Sequence, residues 1–341
     1  MIANSNSFRS VTMGILEIVK DILDIDKEYP KFNGKNWRPA PHTVIKDDEV
    51  KRELEQVGYK IVKLNDQQLI ENLTAVYKKH HSKSTVDGGM FYSLYSQDIN
   101  YRKQINDELL SILTPVFNGL FKDYKSVINS FIIKHPGPKS EFYLHQDSTG
   151  LNEWKYSPVS FWMPLQETTE ENGCMWVLPE SHKWFSPYRG ISFPSMFEKN
   201  QDLLRPYLRP VPVKLGEVLL FDNRIVHLSG ANNGQHPRVI SMAGIFPKEA
   251  PLISCYHDVK NNVPLEIFAQ DDDFLIKNLN FYIDCTARPK LGSKIASCAN
   301  VKYEFTADEL TNVLQSNHAE RLDLYQGHLN EIECDIIQEP V

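Results

Sequence analysis

At 341 residues the chain is long enough to bury a large core without disulfide or metal staples, as one elaborated domain or one domain with appendages. Its 41% hydrophobic and 24% charged residues are the composition of an ordinary folded protein, not of a disordered or low-complexity chain. A formal net charge of -7 argues modestly against a nucleic acid or an anionic membrane as partner, and leaves a local basic funnel open.

The opening MIANSNSFRSVTMG lacks the basic-then-apolar layout of a signal peptide, and no stretch approaches the apolar length of a membrane span. The five cysteines (Cys174, Cys255, Cys285, Cys298 and Cys334) are odd in number, scattered and without CxxC spacing. They read as reduced, mostly structural thiols of a cytoplasmic protein, not as a disulfide or zinc framework.

In chain order, Tyr29 to His42 is rich in Pro, Gly and Asn and is expected to run extended over a body. A charged helix is predicted from about Asp47 to Gln56, followed by Gly58 and the strand pattern Tyr59 to Val62. Asp66 is placed to cap a helix carrying Leu69, Leu73 and Val76, and a further helix is predicted over Ile105 to Phe121 with Leu109, Leu110, Leu113 and Phe117 as its buried stripe. From Val127 short strand-like runs follow: Val127 to Ile133, Val159 to Leu165, Cys174 to Leu178, Val211 to Val213, Val218 to Phe221 and Arg238 to Phe246. Gly, Pro and Asn turns separate them, a pattern that suits a sandwich or barrel and fits a double-sheet jelly roll.

Beyond Pro251 the pattern is weak. The acidic run Gln270 to Asp273 reads as a solvated face or helix start, and Phe305 to Leu310 as a helix start capped by Thr306 or Asp308. The chain thus divides into an N-terminal extension (1–50), a mainly β domain (51–250) and a C-terminal extension (251–341) packing on the barrel or at a subunit contact.

The chemistry-bearing pattern is His145-Gln146-Asp147 with a distant His227. Alternate side chains of an extended segment point the same way, so His145 and Asp147 can meet on one ion, and His227 completes a face of two imidazoles and one carboxylate. That face suits iron(II), because it leaves neighbouring coordination positions open for a chelating cosubstrate and dioxygen. Spacing alone leaves open a hydrogen-bonded His-Asp pair on a loop and metal sites of phosphoesterase or cupin type.

Several ordered blocks narrow the choice. They are Gly58 to Val62; Phe131 to Pro138 leading into Tyr143 to Asp147; Phe161 to Leu165; Glu171 to Lys183; Gly216 to Arg224; and His227 to Asn232, ending at Arg238. From about Leu54 to Phe246 the chain resembles the phytanoyl-CoA dioxygenase family, a branch of the iron(II)/2-oxoglutarate oxygenases. The resemblance implies a mainly β, cupin-like double-stranded β-helix with flanking N-terminal helices, and His145, Asp147 and His227 as catalytic iron ligands. It further implies that Arg238 pairs with the distal carboxylate of 2-oxoglutarate, that Ser229 hydrogen-bonds the same cosubstrate, and that Trp162 lines its pocket. In the plainer reading Arg238 and Ser229 belong to turns and Trp162 to the core. His182 is expected to be a hydrogen-bonded loop residue and not a third imidazole ligand.

The expected cofactors are Fe(II) with 2-oxoglutarate and dioxygen as cosubstrates, and the expected reaction is hydroxylation of an unactivated C–H bond of a small metabolite. Desaturation, cyclisation and epimerisation share its first oxidation; halogenating relatives lack the carboxylate that Asp147 supplies. Tyr92, Tyr95, Trp154 and Lys155 are candidate substrate contacts, each equally explicable as packing or loop surface. The expected partner is a small molecule, free or carrier-tethered, without nucleic acid or membrane, and a homo-oligomer remains open. A jelly-roll binding protein without catalysis is the alternative from another class.

Overall fold

The computed structural model describes residue 29 and residues 37–81, 89–193, 196–258, 261, 264–278, 287–298 and 304–325. Most of the 1–50 segment, together with Cys285 and Cys334, lies outside the described residues.

The N-terminal helices form where the sequence supplies caps. Helix α1 (Asp48–Gln56) is capped by Asp47, whose side chain accepts from the amides of Glu49 and Val50. Strand β1 (Tyr59–Lys63) follows. Helix α2 (Gln67–His81) begins where Asp66 accepts from the Leu69 amide, and it buries Leu69, Ile70, Leu73 and Val76. After the short strand β2 (Met90–Tyr92) comes α3 (Ile99–Leu120), capped by Asp98. It starts six residues before the predicted Ile105, because its first turn is polar around an exposed Ile99 and carries no apolar stripe. Its buried face is Ile105, Leu109, Leu113 and Phe117, with Leu110 only half-buried at the margin.

The β domain contains β3 (Tyr124–Lys134), β4 (Phe142–His145), β5 (Val159–Pro164), β6 (Met175–Leu178), β7 (Arg209–Val211), β8 (Glu217–Asp222), β9 (Val226–Ser229) and β10 (Arg238–Pro247). Two antiparallel sheets result: a six-stranded one ordered β1-β8-β5-β10-β3-β2 and a four-stranded one ordered β4-β9-β6-β7. This is the expected double-stranded β-helix. Strand β7 sits two residues earlier than the predicted Val211 to Val213 and includes Pro210. It is an edge strand, where a residue without an N–H is tolerated.

Strand alternation sorts the two faces of the large sheet. Val239, Ala243 and Ile245 of β10 pack with Phe131, Phe161 and the helical residues Leu73, Leu109 and Phe117. The intervening Ile240 packs with Trp162, Leu219, Phe221, Met175 and Val177 between the sheets. Helices therefore seal one face, and the other closes over the barrel interior. In register, Arg238 opposes Lys134, Ile240 opposes Ile132, and Met242 opposes both Ser130 and Trp162.

The C-terminal stretch is structured where described. Strands β11 (Leu252–Tyr256), β12 (Leu265–Gln270) and β13 (Ser293–Cys298) form a three-stranded antiparallel sheet, which packs Ile253, Cys255 and Ile267 against Tyr29 and Tyr188. The acidic run ends as the N-cap residue Asp273 of a single-turn helix, Phe274–Lys277. A last helix, Ala307–Ser316, is capped by Thr306 in a reciprocal box with Glu309. It lays Leu310 and Leu314, with Tyr325 beyond it, against Trp176, Leu178 and Leu228 of the small sheet. No helix among the described residues is long and apolar enough to cross a membrane.

Candidate metal centre

His145 ends β4 and His227 lies in β9, and the two are direct register partners across that antiparallel pair. Their ring centroids are 4.2 Å apart. Each Nδ1 is taken by the carbonyl two residues upstream: His145 by Tyr143 at 2.8 Å and His227 by Ile225 at 2.9 Å. A carbonyl can only accept, so each Nδ1 carries the proton and each Nε2 presents a lone pair. Both lone pairs face Asp147 Oδ1, at 3.6 Å from His145 and 3.9 Å from His227. One ligand atom from each of the three residues falls within 4.8 Å of the others, the one such cluster found among the described residues.

Asp147 lies just beyond β4 and is held by its backbone. Its amide donates to the Asn223 carbonyl at 3.0 Å, and its own carbonyl accepts from Arg189 Nε at 2.7 Å. Ser160 Oγ reaches its Oδ2 at 3.4 Å, and the Gln146 side chain donates to the Arg224 carbonyl. The turn that receives these bonds is itself fixed by a buried network in which Arg224 and His42 both bind Asp222. Burial alone would raise the Asp222 carboxyl, but the Arg224 charge and hydrogen bond hold it well below the usual range.

The same contest sets the metal-facing groups. Burial opposes the charged form of Asp147, yet its neighbours His145, His227 and Arg189 keep its pKa lowered. Burial, then the neighbouring His145, brings His227 down to about 4, so its Nε2 stays unprotonated at neutral pH. Two imidazoles whose Nδ1 atoms are committed to backbone carbonyls, together with the Asp147 carboxylate, fit a divalent first-row metal with open positions.

Arg238 is placed deeper between the sheets. It is 1% exposed, its Nε has no partner, and one terminal nitrogen donates to the Gly173 carbonyl. No carboxylate among the described residues pairs with it, and burial lowers its pKa to about 10. A buried guanidinium without a counter-ion is costly, so the pocket chemistry calls for an anionic ligand. Trp162 lies under it, 5.4 Å from guanidinium carbon to ring centroid. Ser229 shares the His227 side of β9 and accepts from Lys134 Nζ at 2.7 Å. Gly173 has φ +78°, and a Cβ there would overlap the Gly230 carbonyl, so the turn beneath Arg238 requires glycine.

The substrate candidates separate spatially. Tyr92 donates to Met242 Sδ at 2.9 Å, and its ring lies 4.8 Å from that of Tyr95. Its pKa is raised mainly by burial, with the Asp147 charge adding to it. Trp154 instead donates to Tyr188 Oη and packs edge-on against Trp37, and Lys155 is exposed. His182 donates through Nε2 to the Glu55 carbonyl, outside the metal cluster. Sequence reading did not single out Lys134, Glu153, Ser160, Arg189 or Asn223. Only Lys134 carried a visible signal, a lone charge closing the apolar run Phe131-Ile132-Ile133.

A double-stranded β-helix that gathers two imidazoles and one carboxylate at the β4–β9 edge of its small sheet defines a jelly-roll protein with a candidate metal centre. The chain belongs to the phytanoyl-CoA dioxygenase (PhyH) family, whose sequence profile matches residues 61–240, over half of it. It is similar to phytanoyl-CoA dioxygenase domain-containing protein 1 of Danio rerio, at 30% identity over 127 residues, covering 35% of this chain and 44% of that protein. It is also similar to a methylphosphonate hydroxylase of Gimesia maris, at 31% identity over 120 residues, covering 34% of this chain and 41% of that protein. These alignments span less than half of those relatives' own length. Among solved structures, the alpha-ketoglutarate-dependent carbocyclase SnoK from nogalamycin biosynthesis aligns with a TM-score of 0.46 at 16% identity, over 65% of this chain and 88% of that one.

Proposed function

We propose that this protein is an Fe(II)/2-oxoglutarate-dependent dioxygenase that oxidises an unactivated C–H bond of a small molecule, with release of succinate and carbon dioxide. The observation that carries the reading is a two-His-one-carboxylate cluster together with a buried Arg238 that has no carboxylate partner among the described residues and is linked through its register partner Lys134 to Ser229, two residues beyond His227. Family membership adds to it. His145, Asp147 and His227 would hold the iron, Arg238 and Ser229 the distal carboxylate of 2-oxoglutarate, and Trp162 the wall beneath. When bound, iron(II) with 2-oxoglutarate and dioxygen supplies oxidative decarboxylation and the removal of hydrogen from substrate carbon.

The residues of the chain do the rest. The Tyr143 and Ile225 carbonyls keep both imidazoles in the ligating tautomer. Asp147 contributes a negative charge held ionised at the mouth. The apolar layer of Trp162, Leu219, Phe221 and Ile240 excludes water from the interior and strengthens the Arg238–carboxylate attraction. Tyr92, which contacts Met242 and feels the Asp147 charge, is the candidate contact with substrate.

Within this class we read the outcome as hydroxylation, because Asp147 fills the place that a halide needs, and a relative named as a hydroxylase is 31% identical over its aligned part. Desaturation, cyclisation and epimerisation begin with the same hydrogen removal, and substrate geometry decides among them. The test is an anaerobic titration with iron(II) and then 2-oxoglutarate, reading the weak visible charge-transfer band of the chelate. Succinate release across a metabolite panel under labelled dioxygen follows. Label in the product establishes hydroxylation, and turnover without label establishes one of the other outcomes. Iron binding without the band rejects the 2-oxoglutarate reading.

A further inference from the structure

Lys134 and Arg238 are direct partners across β3 and β10, and both are buried, at 0% and 1% exposure. Like charges placed opposite each other in a sheet destabilise it, and here neither forms an ion pair with a carboxylate among the described residues, although the Glu141 charge acts on the lysine in the opposite sense to Arg238. The lysine is not without contacts. Its Nζ lies 2.8 Å from the Ser229 carbonyl, 2.6 Å from the Gly230 carbonyl and 2.7 Å from Ser229 Oγ.

Three oxygens surround a group that carries three N–H bonds as an ammonium and has nothing to accept with. The two carbonyls can only accept. When the lysine is charged, its third N–H goes to Ser229 Oγ, which then accepts as well, and the hydroxyl hydrogen is left to point away from the lysine. Ser229 stands two residues beyond His227 on the same strand face, so the free O–H direction is the barrel interior that Arg238 enters.

We propose that Lys134 is a positioning residue for the cosubstrate: it fixes Ser229 as a donor to the distal carboxylate of 2-oxoglutarate and adds a second positive charge beside the Arg238 fork. The inference rests on the proposed oxygenase function and names a residue that function did not require. It makes the inner end of the pocket selective for an acid with a second carboxylate. Burial, and then the charge of Arg238, pull the Lys134 pKa well down, and an arriving carboxylate opposes both effects. Anion binding and the lysine charge thus support each other.

The experiment compares two 2-oxo acids on the iron(II)-loaded protein under anaerobic conditions: 2-oxoglutarate, and 2-oxopentanoate, which keeps the chelating end and lacks the distal carboxylate. Lys134→Met should weaken 2-oxoglutarate binding roughly ten- to hundredfold, the range for one hydrogen bond to a charged group. It should leave 2-oxopentanoate binding within about twofold of wild type, since that acid makes no contact the lysine serves. Ser229→Ala added to Lys134→Met should cost little more, because the hydroxyl is no longer aimed. If Lys134→Met does not fold, Lys134→Gln is titrated instead, with the same selective loss expected. Equal weakening of both acids makes Lys134 a structural tie to the loop after β9 and overturns the proposal, as does unchanged affinity for 2-oxoglutarate. Wild-type protein that binds iron and neither acid removes the oxygenase reading itself, an outcome distinct from either.

Discussion

Arg189 donates through Nε to the main-chain oxygen of Asp147 at 2.7 Å, while its terminal nitrogens grip the Glu153 carboxylate at 2.8 and 2.6 Å. Both side chains are nearly sealed, at 5% and 0% exposure. A bidentate buried pair thus braces the one candidate ligand that lies outside a strand. Its neighbours tighten the brace, since the Thr149 amide donates to the Arg189 carbonyl and the Arg189 amide donates to the Thr149 hydroxyl.

Removing one member of such a pair leaves the other charge buried and unpaired. Glu153→Ala should therefore destabilise the fold by about 3–5 kcal/mol, whereas a paired replacement by apolar residues should cost much less. The Glu153→Ala protein should also bind iron(II) more weakly, because Arg189, which anchors the Asp147 carbonyl, is no longer held in place. Denaturant unfolding and anaerobic iron titration measure the two effects. Wild-type stability in Glu153→Ala would show that the pair is not the brace described.

Asp147 itself should be separable from the imidazoles. On the proposed function, Asp147→Ala should abolish turnover, because the carboxylate would supply both a ligand and charge neutralisation at the cluster. Residual iron can stay on His145 and His227, and added chloride or azide can then enter the vacated side. The measurement is succinate and product formation by a variant whose iron content has been verified. Full hydroxylation by that variant rejects Asp147 as a ligand.

The parts of this architecture written locally were legible in the sequence. The caps Asp47, Asp66 and Thr306 mark helix starts because they satisfy amides within three residues of themselves. The strand runs of the large sheet show as apolar segments because helices cover one face and the small sheet the other. Strands β4 and β9 have only four residues each, too few for a period to emerge, although they bring His145 and His227 together. The Arg189–Glu153 brace spans 36 residues and lies in irregular chain, where no pattern predicts a contact. Trp154, an aromatic residue near the ligands in sequence, packs instead with Trp37, a neighbour that no local rule names. The last helix reaches the outer face of the small sheet through Leu310 and Tyr325, a docking fixed by tertiary shape and not by its capping box.

His182 gives the fold an acid limit. Its Nε2–H donates to the Glu55 carbonyl at 3.2 Å, leaving Nδ1 buried without a partner. Burial lowers its pKa from 6.5 to about 3, against the opposing pull of Asp222. Below pH 6.5 the unfolded chain takes up a proton that the folded protein refuses, so stability falls as pH drops from 6.5 towards about 3. Each pKa unit is about 1.4 kcal/mol, which makes the full effect several kcal/mol. His182→Gln can keep the donor to Glu55 and cannot titrate. Its stability should fall less steeply over that interval, as measured by urea unfolding at a series of pH values. Identical slopes for the variant and wild type would assign the acid lability elsewhere.

Arg238 best separates a 2-oxoglutarate enzyme from a generic iron protein. Its guanidinium is buried between the sheets over Trp162, with Nε unpartnered and one terminal nitrogen on the Gly173 carbonyl. Losing a hydrogen-bonded charge pair in such a place costs about 2–5 kcal/mol of binding, or roughly 30- to 5,000-fold in affinity. Arg238→Ala should therefore raise the requirement for 2-oxoglutarate steeply. Iron(II) affinity in the absence of cosubstrate should stay nearly unchanged, because Arg238 is not part of the His145, Asp147 and His227 cluster. Arg238→Lys should recover only part of the loss, since an ammonium keeps the charge but not the planar two-donor fork. The measurement is a pair of anaerobic titrations, iron alone and then cosubstrate into the iron-loaded protein. Weakened iron binding with intact cosubstrate affinity would make Arg238 a structural residue of the turn at Gly173, and the cosubstrate pocket would have to be sought elsewhere.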